Sequence, residues 1–219
     1  MKPRFSRPTL LFAATLSISA LSSVLSGCFP MLATSIGASA IAVADRRTLG
    51  AQIEDQSIQA RGNQRLKEVL PGDDDAYVTV NAFNRRVLLV GQAPDEQTRE
   101  RAAQMAGTLG NVSMIQNEIR VGGPLVSAAK DTTLTARVRA KLIGIKDFEA
   151  NSVRIVTEDS VVYLMGIVTE REGRIASEAA AEVSGVRRVV TLYDLITEEQ
   201  LAELHRRPPE NTGPTRGGQ

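Results

Sequence analysis

An α+β fold made of two tandem αββαβ units, packed against each other, follows from three observations. The chain carries an internal duplication, each copy alternates helical and strand periodicity in the same order, and turn and capping residues recur at matching places. Repeats decide an architecture, so they come first. Asp55-Gln56-Ser57-Ile58-Gln59-Ala60-Arg61 aligns with Asp131-Thr132-Thr133-Leu134-Thr135-Ala136-Arg137, keeping an acid, an aliphatic and Ala-Arg in register. Val87-Leu88-Leu89-Val90-Gly91 aligns with Val162-Tyr163-Leu164-Met165-Gly166, and Asn111-Val112 with Ile115 aligns with Gly185-Val186 with Val189.

Each copy opens with a helix. In the second, Leu134, Val138 and Leu142 form an apolar stripe at helical period, with Asp131 to Thr133 as cap residues. A hairpin follows: Tyr77, Val78, Val80 and Phe83 precede Asn84-Arg85, and Val87 to Val90 return. In the second copy Val153, Ile155 and Val156 precede Glu158-Asp159-Ser160, and Val161 to Val168 return. A second helix starts at Pro94-Asp95-Glu96 and at Thr169-Glu170-Arg171-Glu172, the latter with capping-box spacing. Third strands, Val112 to Val121 and Val186 to Ile196, close the units. Units of about seventy residues bury little core, and without a disulfide or metal each is marginal alone. The two copies are therefore expected to pack on each other.

The duplication sits between ends of different character. Lys2, Arg4 and Arg7 precede a charge-free run from Leu10 to Leu25, the pattern of a secretory signal. The run is diluted with Ser and Thr, whereas a spanning helix needs about 20 strongly apolar residues. Leu25-Ser26-Gly27-Cys28 follows and resembles the lipobox of bacterial lipoproteins, in which the cysteine receives a diacylglycerol. Cys28 is the only cysteine, so no intramolecular disulfide can form, and lipidation accounts for the lone thiol. The expected organisation is a cleaved signal peptide over 1–27, a lipidated N-terminus and linker over 28–54, one unit over 55–122, a linker over 123–129, a second unit over 130–198, and a largely disordered tail over 199–219. Prolines and glycines from Pro208 onward mark that tail.

Two exported αββαβ units behind a lipobox resemble the dual BON-domain lipoproteins of the outer membrane. The residues that carry the likeness are Asp45-Arg46-Arg47-Thr48 with Gly50 and Gln52, Asn117-Glu118-Ile119-Arg120, Asp131-Thr132, Val138-Arg139, and Leu164-Met165-Gly166 with Val168-Thr169-Glu170-Arg171-Glu172. The resemblance implies an outer-membrane location facing the periplasm, in keeping with Phe29 rather than Asp after the cysteine, and an acyl anchor of diacylglycerol plus an N-acyl chain on Cys28. It also implies that the glycine repeated as Gly91 and Gly166 is characteristic of the family. Read from the residues, those glycines mark close backbone approach within a strand and are structural.

Chemistry is limited by inventory. The only histidine, His205, stands at the edge of the expected tail, and no triad can be built around it. Asp73-Asp74-Asp75 follows Pro71-Gly72 and reads as a solvated loop, since three consecutive carboxylates cannot all aim at one ion. No metal-ligand spacing or phosphate-cradling glycine motif is present. Near-neutral charge, scarce aromatics and no Trp argue against nucleic acid. The chain reads as a non-enzyme with no cofactor beyond its covalent acyl chains.

The candidate site is the opening helix of the second unit. Arg137 and Lys141 lie one turn apart beside Leu134 and Val138, and an apolar edge bordered by cations can enter a bilayer whose headgroups are anionic. In the first copy Gly62 replaces Val138 and weakens that edge. The commoner fate of such a stripe is to pack on its own sheet. The resemblance favours the membrane, because it implies binding of anionic phospholipid such as phosphatidylglycerol through the second BON domain. It also implies a bulky aromatic where this chain has Thr133, so that insertion is expected either to be shallower here or to be taken over by Leu134 and the nearby Leu125 and Val126. The expected site is Thr133, Leu134, Arg137, Val138 and Lys141, serving membrane integrity. The rival reading is an adaptor that docks other envelope proteins and touches the membrane only through its anchor.

Overall fold

A computed structural model describes residues 45–70, 76–123 and 128–206. The signal segment, Cys28 and the chain up to residue 44, the Asp73-Asp74-Asp75 cluster, Leu125, Val126 and residues 207–219 lie outside the described residues.

The first unit runs α1 (Leu49–Val69), β1 (Tyr77–Phe83), β2 (Arg86–Ala93), α2 (Glu96–Gly107) and β3 (Met114–Val121). The second runs α3 (Ala128–Ile143), β4 (Val153–Glu158), β5 (Val161–Thr169), α4 (Glu170–Ala181) and β6 (Arg188–Ile196). Each sheet has three strands with the hairpin's second strand in the middle, antiparallel to the first and parallel to the third. The αββαβ order is thus realised twice.

Three boundaries differ from expectation. Helix α1 begins inside the segment expected as linker, because Thr48 caps it by accepting from the Ala51 N–H at 3.1 Å. Helix α3 begins by Ala128, so Asp131 to Thr133 lie within it rather than capping it. A fifth helix, α5 (Glu198–Arg206), occupies the start of the expected tail. It is held by a reciprocal cap between Thr197 and Gln200 and by burial of Leu201. The Thr-x-x-Gln spacing that signals it is visible in the sequence.

Two buried aspartates, not caps, explain the acid kept in register between copies. Asp55 accepts from the amides of Asn84 and Arg85 at 2.7 and 2.8 Å, and Asp131 from those of Asp159 and Ser160 at 2.8 and 2.9 Å. All four turn residues have φ between 48° and 62°, the two-residue hairpin conformation that twists with its strands. Non-glycine residues resist that region, and a carboxylate collecting both N–H groups offsets the cost. Each opening helix is thereby keyed to the tip of its own hairpin.

Glycine is required at the paired strand positions. A Cβ on Gly91, whose φ is +126°, would lie 1.8 Å from the Tyr77 carbonyl oxygen. One on Gly166 would lie 2.7 Å from that of Ser152. Gly62 has a packing role as well: a Cβ there would come within 2.9 Å of Val80, so its absence lets α1 settle on β1.

Strands β2 and β5 are apolar without alternation because both faces are buried. Val87 and Leu89 of β2 face α1 and α2, while Val162 and Leu164 of β5 face α3 and α4. The other faces meet: Phe83, Leu88 and Val90 pack against Val161, Tyr163, Met165 and Leu192. The result is four layers, helices–sheet–sheet–helices. Polar contacts frame the shared core, with Arg86 on Asp194 at 2.5 Å, Arg188 on Glu118 at 2.7 Å, and Arg154 donating to Ala82 O and Gln59 Oε1.

Candidate functional site

Helix α3 lies on the outer layer of the second unit, on the far side from the first. Its apolar stripe faces inward: Leu134 is 3 % exposed and Val138 and Leu142 are 0 % exposed. Val138 and Leu142 join the core with Val153, Leu164 and Ala180. Leu134 and Val138 therefore cannot touch a bilayer in the folded chain, and their place in the expected site is corrected. Burying them on their own sheet satisfies the hydrophobic effect without a membrane.

The other members of the expected set are at the surface. Thr133, Arg137 and Lys141 are exposed, together with Ala129, Lys130, Thr132, Ala136, Ala140 and Ile143. At 100° per residue, Ala129, Thr133, Ala136, Ala140 and Ile143 form one continuous ridge opposite the buried stripe. It bears no charge. The hydroxyls of Thr132 and Thr133 donate back to Ala128 O and Ala129 O at 2.8 and 3.0 Å, so their hydrogen-bonding needs are met by the helix. Among the described residues Ile143, at 66 %, is the most exposed of the large hydrophobic side chains.

Cations border the ridge on one side, where Lys130, Arg137 and Lys141 follow one another at helical spacing. Lys141 holds Glu182 at 2.9 Å in a surface pair that solvent screens. Among the described residues, Lys130 and Arg137 have no carboxylate partner. Arg139, on the other side, folds back to donate to Ala150 O at 3.1 Å.

The equivalent surface of α1 differs in part. Where the α3 ridge has Ala129, Thr133 and Ala136, α1 has the equally uncharged Ile53, Ser57 and Ala60, Ile53 being 58 % exposed, and the ridges part at Ala140 and Ile143, where α1 places Gln64 and Lys67. Where α3 has Lys130, α1 has Glu54, which pairs with Arg61 at 3.2 Å. Arg65, matching Lys141, is turned onto Thr108. Duplication preserved the fold of the helix, and the two outer faces diverged.

The sequence reading missed Lys130, Ala129, Ala136, Ala140 and Ile143. Their spacing was legible, but a ridge of alanine and threonine reads as an ordinary solvated face beside a stronger stripe of Leu and Val. Among the described residues no group of three or more His, Cys, Asp or Glu side chains is placed to hold a metal ion. Nor is any helix among them long and apolar enough to cross a membrane.

One further cluster lies where the second unit meets the residues that lead into α1. Arg46 precedes α1 of the first unit, yet its guanidinium donates to both oxygens of Glu172 at 2.7 and 2.8 Å, to Glu149 at 3.0 Å and to Ile167 O at 2.9 Å. Burial is the largest influence on either charge, acting to neutralise it. The mutual pairing outweighs burial, raising Arg46 and lowering Glu172 from their ordinary values. Glu172 also closes the capping box of α4 with Thr169. Neighbouring Arg47 pairs with Asp55 and Asp45, both at 2.7 Å, and stacks on Phe83 with 4.3 Å to the ring centroid.

Two units of this topology, each with a keyed hairpin and a required strand glycine, define a tandem module rather than a single domain. The BON domain model matches residues 54–123 and 130–194, and the chain belongs to the BON-domain family. It is 30 % identical over 175 residues to the outer membrane lipoprotein DolP of Haemophilus influenzae, covering 77 % of this chain and 89 % of that protein. It is also 30 % identical over 154 residues to a 21 kDa hemolysin of Actinobacillus pleuropneumoniae, covering 69 % of this chain and 79 % of the relative.

Proposed function

We propose that this chain is a non-catalytic outer-membrane lipoprotein, anchored through acylated Cys28 and facing the periplasm, whose second BON domain lays the outer ridge of α3 on anionic phospholipid of the phosphatidylglycerol type. The observation that carries the reading is the uncharged ridge Ala129–Thr133–Ala136–Ala140–Ile143 beside Lys130, Arg137 and Lys141. Small residues let the helix axis come close to the headgroups, while the cations meet lipid phosphates; each basic residue near such a surface contributes about 1 kcal/mol. Among the described residues of the ridge, Ile143 is the large apolar side chain placed to dip between acyl chains. The contact is shallow and weak on its own, and the anchor supplies the effective concentration that makes it count. The likeness to an outer membrane lipoprotein supports the location and the anchor. On this reading the protein supports membrane integrity by choosing where on the membrane it sits.

Co-sedimentation of residues 45–206, without the anchor, with vesicles tests it. Binding is expected to rise with phosphatidylglycerol content and to fall at least fivefold when Arg137 and Lys141 are both changed to Glu. Equal binding to neutral and anionic vesicles would return the surface to the adaptor reading, with other envelope proteins as its partners.

A further inference from the structure

The cations beside the α3 ridge face α4 and the loop that follows it, and one of them already holds an anion. Lys141 Nζ lies 2.9 Å from the carboxylate of Glu182, the residue that caps the C-terminus of α4. The first domain makes the same join with other chemistry. There Arg65, the counterpart of Lys141, donates to the hydroxyl and the carbonyl of Thr108, the C-cap of α2, at 3.0 and 3.4 Å. Both copies tie the opening helix to the C-cap of the second helix, through a neutral hydroxyl in one and a carboxylate in the other. An acid is unfavourable at the end of a helix, where the backbone carbonyls leave partial negative charge. The ion pair does little to offset this, since the side chains of Lys141 and Glu182 are 47 % and 66 % exposed and such pairs contribute little. The stability of α4 therefore gives no reason for the acid at position 182.

The place of Glu182 beside the ridge does give one. The loop after α4 runs along the cationic side of α3: a Cβ on Gly185, whose φ is +99°, would lie 3.7 Å from Leu134 Cδ1 and 3.9 Å from Arg137 Nη1. Further along, exposed Arg187 is held by Asp159 at 2.7 Å, at the hairpin tip to which Asp131 keys α3. Helix and loop thus form one border of cations, with the Glu182 carboxylate at its Lys141 end. When the ridge lies on a bilayer, that border stands at headgroup depth. A lipid phosphate approaching Lys141 there meets a side chain that already has its anion. Displacing Glu182 breaks only a weak pair, but the released carboxylate then repels the headgroups around it. Lys130 and Arg137, which have no carboxylate partner among the described residues, meet no such competitor.

We propose that Glu182 is a charge gate on the α3 face: its carboxylate occupies Lys141 in place of a lipid phosphate, so that α3 settles only where anionic headgroups are dense enough to displace it. This rests on the lipid-facing role of α3. The test is a double-mutant cycle on the chain from residue 28 onward, with Cys28→Ser to remove the acyl anchor, co-sedimented with phosphatidylcholine vesicles of increasing phosphatidylglycerol content. Glu182→Gln is expected to raise binding to the anionic vesicles about threefold or more and to shift half-maximal binding to a lower phosphatidylglycerol content. In a Lys141→Gln background the same change should gain less than half as much, because the competition it relieves no longer exists. Glu182→Thr, which installs the cap residue of the first domain, is expected to act in the same way and carries the test if the glutamine variant does not fold. Equal gains in the two backgrounds would make Glu182 a surface charge like any other and overturn the gate, as would no gain at all. A parent chain that binds neutral and anionic vesicles alike overturns the lipid-facing role of α3 itself.

Discussion

At the residue scale, the aspartate shared by the two copies has a clear energetic consequence. Removing the Asp131 carboxylate leaves two hairpin amides, Asp159 N and Ser160 N, without their acceptor. Each buried, unpaired donor costs about 1–3 kcal/mol. Asp131→Ala is therefore expected to lower the urea unfolding free energy by roughly 2–4 kcal/mol, and Asp55→Ala by more, since it also deprives Arg47 of a partner. Next to Asp131, Glu158 is pushed up to about 7 by burial first and then by Asp131 and Asp159, with Arg120 opposing. Its folded state holds a proton that its unfolded state releases near 4.5. The stabilising contribution is present at pH 4 and is lost as pH rises toward 7 and above. Glu158→Gln should accordingly raise the melting temperature at pH 8 by a few degrees and change it little at pH 4, which thermal melts across that range will show.

At the scale of single elements, the two strand glycines are alike in position and unlike in demand. Gly91 combines a left-handed φ with a backbone oxygen 1.8 Å from any added Cβ, whereas Gly166 has a 2.7 Å approach without the left-handed φ. Gly91→Ala is expected to abolish soluble expression of the folded chain. Gly166→Ala should yield a folded but destabilised protein, and the ranking is checked by yield and chemical denaturation. Helix α3 shows why a stripe and a site are different things. Its Leu134, Val138 and Leu142 were legible as an amphipathic face, and the face they mark is the one turned to the sheet. Leu134→Ala should cost roughly 2–5 kcal/mol of stability while leaving vesicle affinity per folded molecule unchanged, the reverse of a charge reversal at Arg137.

At the scale of the whole molecule, the two BON domains share a third core between their sheets. Neither unit is large enough to be robust alone, and Met165, 0 % exposed, sits in the layer that joins them. Calorimetry of residues 45–206 is expected to show one cooperative transition. Met165→Ala should lower its midpoint by roughly 5–15 °C, from a 2–5 kcal/mol truncation spread over a chain of this size, without splitting it. Two separated transitions in the parent chain would mean that the sheets contribute little to each other.

The sequence by itself determined the repeat, the αββαβ order, the hairpins and the capping box at Thr169, because periodicity, turn residues and caps are local and short in range. The likeness to BON-domain lipoproteins was legible for the same reason, in runs such as Leu164-Met165-Gly166. Which face of an element meets what was settled only by tertiary structure. A run like Val87 to Val90 is apolar on both sides, so nothing in it says that Leu88 and Val90 turn to the other domain. The partner of Arg46 lies 126 positions away in the chain, and no local pattern announces it. The α3 ridge became visible once the stronger stripe was seen to be occupied, since a neutral surface is recognised as a site by what surrounds it and by what has already been buried.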